Sequence, residues 1–205
     1  MKILAVSDTP SDKYYKYYRP GMLKEFDLIL SCGDLGPEYL EFLVTMAGCP
    51  LVYVHGNHDD NYDRSPQGCI CADDRIVTIG GLRILGFGGS NYYRDGNRDG
   101  IYIYKEKEMQ SRIRRRWFSL RRHGGFDILL THAPARGLND FEDLPHRGFE
   151  CFNTLLEKYK PSYFVHGHIH RNYDFSIPQV DHKGNTTVIN AYEYCIIDTK
   201  TGLSR

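Results

Sequence analysis

Short runs of consecutive apolar residues, separated by polar segments, recur along the whole chain. Residues 2–7, 28–32 and 51–54 are almost entirely apolar, which is typical of strands covered on both faces of a sheet. Residues 38–46, between the second and third runs, carry apolar side chains at helical spacing, and residues 22–26 are predicted to close a short helix. This alternation of strands and helices predicts a parallel sheet with crossover helices in the first half.

The second half of the chain carries a different pattern. Arg75–Ile79 and Leu82–Phe87 flank Gly80-Gly81, a two-residue signal for a β-hairpin. Helices are predicted over residues 105–122, which end at a glycine pair, and over 150–159, which end before Pro161. Further strands are predicted at residues 128–130, 163–165, 173–177, 186–189 and 194–198. The mixture of parallel and antiparallel strands flanked by helices predicts an α/β fold.

Polar residues follow directly after five of the predicted strands. They supply two carboxylates, one carboxamide and four imidazoles: Asp8, Asp34, Asn57, His58, His132, His168 and His170. Ligand sites of open α/β sheets collect at the carboxyl ends of the strands, so these side chains are expected to lie together. Their oxygen and nitrogen atoms suit divalent cations, and a pair of such cations is a common device for hydrolysing phosphate esters.

The order of these motifs resembles the calcineurin-like metallophosphoesterase family. The matching segments, between residues 6 and 170, are Asp8-Thr9-Pro10, Gly33-Asp34, Gly56-Asn57-His58-Asp59, Thr131-His132 and Gly167-His168-Ile169-His170. The resemblance implies two packed mixed β-sheets flanked by helices, an αββα sandwich. It also implies a metal-dependent phosphoesterase that hydrolyses phosphodiester or phosphomonoester bonds by attack of a metal-activated hydroxide, with phosphodiesters favoured.

The resemblance also implies a role for each residue of the motifs. His58 would be the catalytic histidine near the leaving group, and Asp59 would orient its imidazole. The implied metal ligands are Asp8 and His170 at the first site, Asn57, His132 and His168 at the second, and Asp34 as the bridge between them. One or two divalent ions are expected, and manganese, iron, zinc and magnesium all suit this ligand set.

The first motif departs from the family pattern at Pro10, where the family has a metal-binding histidine. Proline has no ligand atom, so the first metal site is expected to be weaker than the second. Asp12 is a candidate replacement. The substitution leaves two further hypotheses open: a hydrolase with a single metal ion, and a catalytically degenerate metal-binding scaffold for protein interaction.

Length and composition limit the other function classes. The 205 residues predict a single domain over 1–205, and a formal net charge of zero predicts no attraction to nucleic acid or membranes. The expected partner is a small phosphorylated substrate, nucleotide-like in one interpretation. No export signal or run of about 20 apolar residues occurs, so six reduced cysteines in the cytoplasm are expected. Cys69-x-Cys71 has no second pair for a structural zinc site, which favours ordinary cysteines.

Two basic or aromatic segments allow alternative interpretations. The stretch from Arg112 to Arg122 suits nucleic acid, but an amphipathic helix with Ile113, Trp117 and Leu120 facing inward is favoured. The tyrosine-rich residues 13–19 either line the mouth of the site or pack as a helix.

The loop at residues 133–147 follows His132 and is expected to overhang the site, with Arg136 and Arg147 as candidate phosphate contacts. His55 is assigned to the sheet rather than to the site. The remaining histidines have no motif around them and are expected at the surface: His123, His146 and His182.

Overall fold

Two six-stranded β-sheets face each other in the computed structural model of the chain, which describes residues 1–59, 64–93, 102–172, 177–199 and 202–204. The strands are β1 (Lys2–Ser7), β2 (Leu28–Ser31), β3 (Leu51–Tyr53), β4 (Cys69–Cys71), β5 (Arg75–Ile79), β6 (Leu82–Phe87), β7 (Ser90–Asn91), β8 (Ile103–Tyr104), β9 (Ile128–Thr131), β10 (Tyr163–His166), β11 (Val180–Lys183), β12 (Thr186–Asn190), β13 (Glu193–Asp198) and β14 (Gly202–Ser204). The helices are α1 (Pro37–Ala47), α2 (Glu106–Arg115), α3 (Trp117–His123) and α4 (Glu150–Tyr159).

Both sheets mix parallel and antiparallel pairs. The first has the strand order β14-β13-β1-β2-β3-β4, in which β1 to β4 are parallel and β13 is antiparallel to β1. The second has the order β11-β12-β10-β9-β6-β5, in which the central strands β12, β10, β9 and β6 are parallel. The parallel strands of each sheet therefore end along one edge, where the connecting loops meet.

Alternation along the strands divides the apolar side chains between two faces, because neighbouring side chains of a strand point in opposite directions. Ile3 and Ala5 of β1 pack in the core between the sheets, which also contains Ile84, Ile128 and Val165 of the second sheet. The outer faces are covered by helices. Leu4 and Val6 share a cluster with Leu40 and Leu43 of α1, while Leu129 and Phe164 share one with Phe152 and Leu155 of α4. These four layers confirm the predicted αββα fold class.

The helices differ from the predicted ones in two places. The predicted helix at 105–122 is divided into α2 and α3 at Arg116, which has the backbone angles φ −91° and ψ −1°. Residues 22–26 form a turn rather than a helix. Among the described residues, α1 is the longest helix with 11 residues, and none is long and apolar enough to cross a membrane.

The central strands of both six-stranded sheets agree with the predicted ones, but the edge strands β4, β11 and β14 and the two-stranded sheet of β7 and β8 were not predicted. Residues 69–71 and 180–183 form edge strands that the apolar pattern does not reveal, because they are only partly buried. The strand predicted at 173–177 lies outside the described residues except for Ile177. The predicted hairpin at Gly80-Gly81 is confirmed, since Ile79 pairs with Leu82.

Candidate metal centre

The predicted site residues lie together at the shared edge of the two sheets. Asp8 follows β1, Asp34 lies just beyond β2, and Asn57 lies beyond β3, all in the first sheet. His132 follows β9 and His168 lies beyond β10, both in the second sheet. A cavity of about 210 Å³ opens between them, lined by Asp8, Asp34, His58, His146, His168 and His170.

Three of these residues have a backbone conformation that side chains of L-amino acids rarely adopt. The φ angles of Asp8, Asp34 and His168 are 64°, 56° and 66°. Left-handed conformations of non-glycine residues are uncommon, and they concentrate at functional sites where the surrounding structure enforces them. The strain is therefore located at three of the implied metal ligands.

Two motif glycines make room for the carboxylates. A methyl group at Gly56 would stand 1.9 Å from Asp34 Oδ1. A methyl group at Gly167 would stand 1.9 Å from Ser7 Oγ and 2.8 Å from Asp8 Oδ2. Only a hydrogen atom fits at these two positions. Gly56 therefore allows the Asp34 carboxylate to approach the backbone, and Gly167 does the same for Asp8.

The most tightly assembled part of the centre surrounds His132. Its Nε2 lies 2.9 Å from Asn57 Oδ1, 3.1 Å from His168 Nδ1 and 3.4 Å from Asp34 Oδ2. The other ring nitrogen faces the carbonyl oxygen of Cys32 at 2.8 Å, and His168 Nε2 faces that of Pro145 at 2.8 Å. Each carbonyl accepts an N–H bond, so the opposite nitrogen of each imidazole faces the site and is the one that a metal ion would bind.

This arrangement brings four acceptor atoms into one small volume. The lone pairs of these nitrogen and oxygen atoms repel each other unless a proton or a metal cation lies between them. Among the described residues, Asp34, His132 and His168 form one of two groups of three whose ligand atoms all lie within 4.8 Å of each other. The donor set therefore fits a divalent cation.

Burial and charge set the protonation of the two histidines in opposite directions. Burial, together with the charge of the neighbouring His132, lowers the pKa of His168 to about 3, so this imidazole is neutral at physiological pH. Burial also opposes protonation of His132, but the carboxylates of Asp34 and Asp8 outweigh it and raise the pKa of His132. The same negative charge that attracts a proton to His132 attracts a metal ion.

The first implied metal site is more open. Asp8 accepts the backbone N–H of His168 at 3.0 Å, and its Oδ1 lies 3.6 Å from His170 Nε2. The His170 ring stacks on Tyr192, with the ring centroids 4.8 Å apart. Burial opposes ionisation of Asp8, but the nearby imidazole of His170 and the neighbouring His132 and His168 outweigh it and hold the pKa of Asp8 below its ordinary value.

Neither Pro10 nor Asp12 contributes a side chain to the first implied metal site. Pro10 is exposed at the surface. The Asp12 carboxylate is also exposed and lies 3.9 Å from the ammonium group of Lys16, outside the residues that line the cavity. The suggestion that Asp12 replaces the missing histidine therefore has no support in the described geometry.

Hydrogen bonds from the backbone fix Asp34 and Asp59. The His58 N–H donates to Asp34 Oδ1 at 2.8 Å. Asp59 is buried, and its Oδ2 accepts the N–H groups of Asp34 and Gly56 at 2.9 Å and 2.7 Å. Burial, together with the charge of Asp34, raises the pKa of Asp59 to about 6. Asp59 thus ties the second motif to the third, while its predicted contact with the His58 imidazole stays a prediction.

His146 was expected at the surface, but it lines the cavity. Its ring centroid lies 5.3 Å from that of His168, and its Nδ1 lies 2.6 Å from Asp143 Oδ2, which orients the ring. One feature of the sequence could have indicated this placement: His146 belongs to the loop at residues 133–147, and that loop is expected to overhang the site. The structure shows that this loop reaches the centre, because Pro145 binds His168.

The two arginines that were candidate phosphate contacts bind residues of their own loop instead. Arg136 donates to Asp140 and Glu142, and Arg147 donates to the carbonyl of Glu142, so both order the loop at 133–147. The amphipathic interpretation of the basic stretch also needs correction. Arg112 is buried and binds Asp74, whereas Trp117 is 55% exposed.

Comparisons with known proteins show the family of the chain and support its fold. The family profile described as calcineurin-like phosphoesterase matches residues 1–172. A UPF0046 protein of Caenorhabditis elegans is 25% identical over 197 residues, covering 78% of this chain and 63% of that protein, so the chain spans less than two thirds of this relative's length. A solved structure of TT1561 from Thermus thermophilus, 14% identical, superimposes with a TM-score of 0.65 over 97% of this chain and 94% of that one. Another solved structure, 16% identical, reaches a TM-score of 0.71 over 98% of this chain and 96% of that one.

Proposed function

Because the chain belongs to the calcineurin-like phosphoesterase family, we propose that it hydrolyses phosphate esters with bound divalent cations, and that phosphodiesters are favoured over phosphomonoesters. The observation that carries this proposal is the convergence of Asn57, Asp34 and His168 on one nitrogen of His132, all within 3.4 Å. A metal-binding scaffold would use the same ligands, but it has no chemical reason to place His58 in the lining of the cavity.

The chain's own residues divide the metal-binding work. Asn57, His132, His168 and Asp34 would hold one cation, and Asp8 and His170 together with Asp34 would hold a second. Divalent cations in such a centre supply an activated water as nucleophile and neutralise the charge of the phosphoryl oxygens. Manganese, iron, zinc or magnesium satisfies the mixed oxygen and nitrogen ligands.

The two cation sites differ in strength. Three of the four side chains of the second site, Asp34, His132 and His168, form a tight group, whereas among the described residues Asp8, Asp34 and His170 do not. Together with the absence of a ligand atom at Pro10, this supports weaker binding at the first site. We infer that the enzyme works with one tightly bound ion and a second that exchanges readily.

Two histidines at the cavity meet the substrate. His58 is exposed and lines the cavity, so its imidazole is accessible to the leaving-group oxygen as a proton donor. His146 lines the same cavity, and Asp143 holds its ring in place. It is suited to donate a hydrogen bond to a phosphoryl oxygen. The small volume of about 210 Å³ suits a phosphate group with a limited part of its substituent inside.

The test is the hydrolysis of a chromogenic phosphodiester, and of the matching monoester, by apoprotein titrated with Mn²⁺. We expect activity that rises with metal and favours the diester. His58→Ala should lower kcat roughly 100-fold or more, in the range typical of general acid catalysis. His182→Ala removes an exposed histidine outside the cavity and should behave like the wild type.

Each other outcome counts against a stated part of the proposal. Equal loss of activity in both histidine variants would remove His58 from the mechanism. Preference for the monoester would reverse the substrate class. Folded, metal-loaded protein without activity on either ester would contradict the proposal and favour the metal-binding scaffold.

A further inference from the structure

A second group of side chains with potential metal-ligand atoms lies next to the candidate metal centre along the chain, since His55 directly precedes Gly56-Asn57. One ligand atom each from His55, Cys71 and Asp73 lies within 4.8 Å of the other two. We propose that these three residues, the accessory cluster, bind one zinc-like divalent cation at a site separate from the phosphoesterase centre. The proposal does not depend on the proposed hydrolysis.

The register of the first sheet builds the cluster. Strands β3 and β4 are parallel neighbours, and Tyr53 pairs with Cys71. His55 lies two residues after Tyr53, and Asp73 lies two residues after Cys71, so the same register places them side by side. The His55 N–H confirms the placement, because it donates to Asp73 Oδ2 at 3.3 Å.

The imidazole of His55 is held in a fixed orientation. Its Nδ1 lies 2.6 Å from Asp73 Oδ2. The Tyr102 ring stacks on it with a centroid distance of 4.4 Å and an interplanar angle of 6°. His55 and Asp73 have side chains that are 13% and 16% exposed, so the cluster is sheltered but open to small ions. A ligand that is positioned before binding loses little freedom when the ion arrives.

The second oxygen of Asp73 provides an independent indication of a ligand. Asp73 Oδ1 is buried and has no hydrogen-bond partner among the described residues. A methyl group at Gly88 would stand 2.6 Å from this oxygen, so the glycine leaves the space around it open. A buried carboxylate oxygen without a partner is costly, and a bound cation removes that cost.

The chemistry of the cluster favours zinc over the harder ions. A thiolate and an imidazole are preferred by zinc, whereas the phosphoesterase centre contains only oxygen and nitrogen ligands. Binding requires both the Cys71 thiol and the hydrogen bond between His55 and Asp73 to release a proton to solvent, and the cation takes the place of that hydrogen bond. Three protein ligands leave a fourth position for water.

The site is connected to the phosphoesterase centre through the backbone. His55 immediately precedes Gly56-Asn57, and its carbonyl oxygen accepts the Gly89 N–H at 2.8 Å. A cation at the accessory cluster therefore joins the end of β3 to the end of β4 and holds the segment that positions Asn57. The expected role of the cation is to hold Asn57 in position as a ligand of the phosphoesterase centre.

Cobalt absorption spectroscopy tests the proposal directly. A thiolate bound to Co²⁺ gives a near-ultraviolet charge-transfer band, which oxygen and nitrogen ligands do not give. Apoprotein titrated with Co²⁺ should develop this band, and Zn²⁺ should remove it by displacement. Cys71→Ser should lack the band, while Cys69→Ser, which changes a half-buried cysteine of the same strand outside the cluster, should keep it.

Two further variants separate the sites. Asp34→Asn weakens the phosphoesterase centre and should leave the band unchanged, whereas Asp73→Asn should weaken Co²⁺ binding at the accessory cluster. Circular dichroism establishes that each variant is folded. No band in the wild type at saturating Co²⁺, a band that persists in Cys71→Ser, or a band lost in Asp34→Asn would overturn the proposal. Loss of phosphoesterase activity alone has no bearing on it.

Discussion

At the scale of single residues, the centre depends on backbone conformations that its own side chains disfavour. Asp8, Asp34 and His168 adopt positive φ angles, and Gly56 and Gly167 allow the carboxylates to approach the chain. The motif pattern identified these residues, but it could not show which of them are strained. Strain at a ligand is maintained by the rest of the fold and holds the ligand in place before the ion arrives.

Gly56→Ala tests how closely Asp34 must approach the backbone. The added methyl group would stand 1.9 Å from Asp34 Oδ1, so the carboxylate must move. We expect Mn²⁺ affinity, measured by titration calorimetry, to fall roughly 10–100-fold, as when a residue supporting a metal ligand is changed. Gly36→Ala is the control, because a methyl group there meets its nearest atom at 3.4 Å. Unchanged affinity in Gly56→Ala would contradict the interpretation.

At the scale of elements, the break between α2 and α3 changes which side chains are buried. A continuous helix would have placed Trp117 on the inner face, but after Arg116 the chain turns and Trp117 and Phe118 are 55% and 70% exposed. Arg112 occupies a buried position instead, where it binds Asp74 and the carbonyl oxygen of Gly88. The break could not be predicted from helical periodicity, because no proline or glycine marks it.

Substitutions in α3 test this burial pattern. Leu120 is buried, so Leu120→Ala should lower the free energy of unfolding by about 2–5 kcal/mol through lost burial and a residual cavity. Phe118→Ala, the matched control on the same helix, should change it by less than about 0.5 kcal/mol because the ring is exposed. Urea denaturation measures both values. Similar losses in the two variants would contradict the orientation of α3.

The ion pair between Arg83 and Asp127 predicts a pH-dependent contribution to stability. Asp127 binds Arg83 through both carboxylate oxygens at 2.6 Å and 2.9 Å, and this lowers the pKa of Asp127. The contribution is complete above the ordinary pKa of aspartate, about 4, and is lost as the pH falls through the lower folded-state pKa. We expect Asp127→Asn to cost about 1 kcal/mol at neutral pH.

The difference in free energy of unfolding between wild type and Asp127→Asn should therefore disappear as the pH is lowered below about 4, because the wild-type carboxylate is then protonated as well. Urea denaturation over this pH range measures it. Asp12→Asn changes an exposed carboxylate 3.9 Å from Lys16, and its free energy of unfolding should stay close to that of the wild type at every pH. A difference for Asp127→Asn that stays constant on acidification would assign the loss to packing rather than to charge.

At the scale of the whole molecule, the centre exists only because two sheets meet at one edge. Asp8, Asp34 and Asn57 come from the first sheet, and His132 and His168 come from the second. Hydrogen bonds cross this junction, including those from His168 to Asp8 and from His132 to Cys32. A cation bound there contacts both sheets, so metal binding and global stability are expected to be coupled.

Metal removal tests this coupling. At a free Mn²⁺ concentration about 100 times the Kd, one bound ion should raise the free energy of unfolding by about 2.7 kcal/mol relative to protein in chelator. Asp34→Asn should lose most of this increase, because the carboxylate lies at the centre of the ligand set. Asp181→Asn, on the edge strand β11, should keep it. An equal increase in Asp34→Asn would mean that the ion binds elsewhere.

The sequence by itself determined the order of the motifs that follow the central strands, and the family resemblance of these motifs predicted the αββα class and a candidate set of ligand residues. These are encoded locally, because apolar runs mark buried strands and each motif follows its own strand. Tertiary structure decided the rest. His146 reaches the cavity through a loop, Asp59 binds the backbone of Asp34, and His55 meets Asp73 through strand register. Such contacts join residues that are distant along the chain, and only the packing of the two sheets brings them within reach.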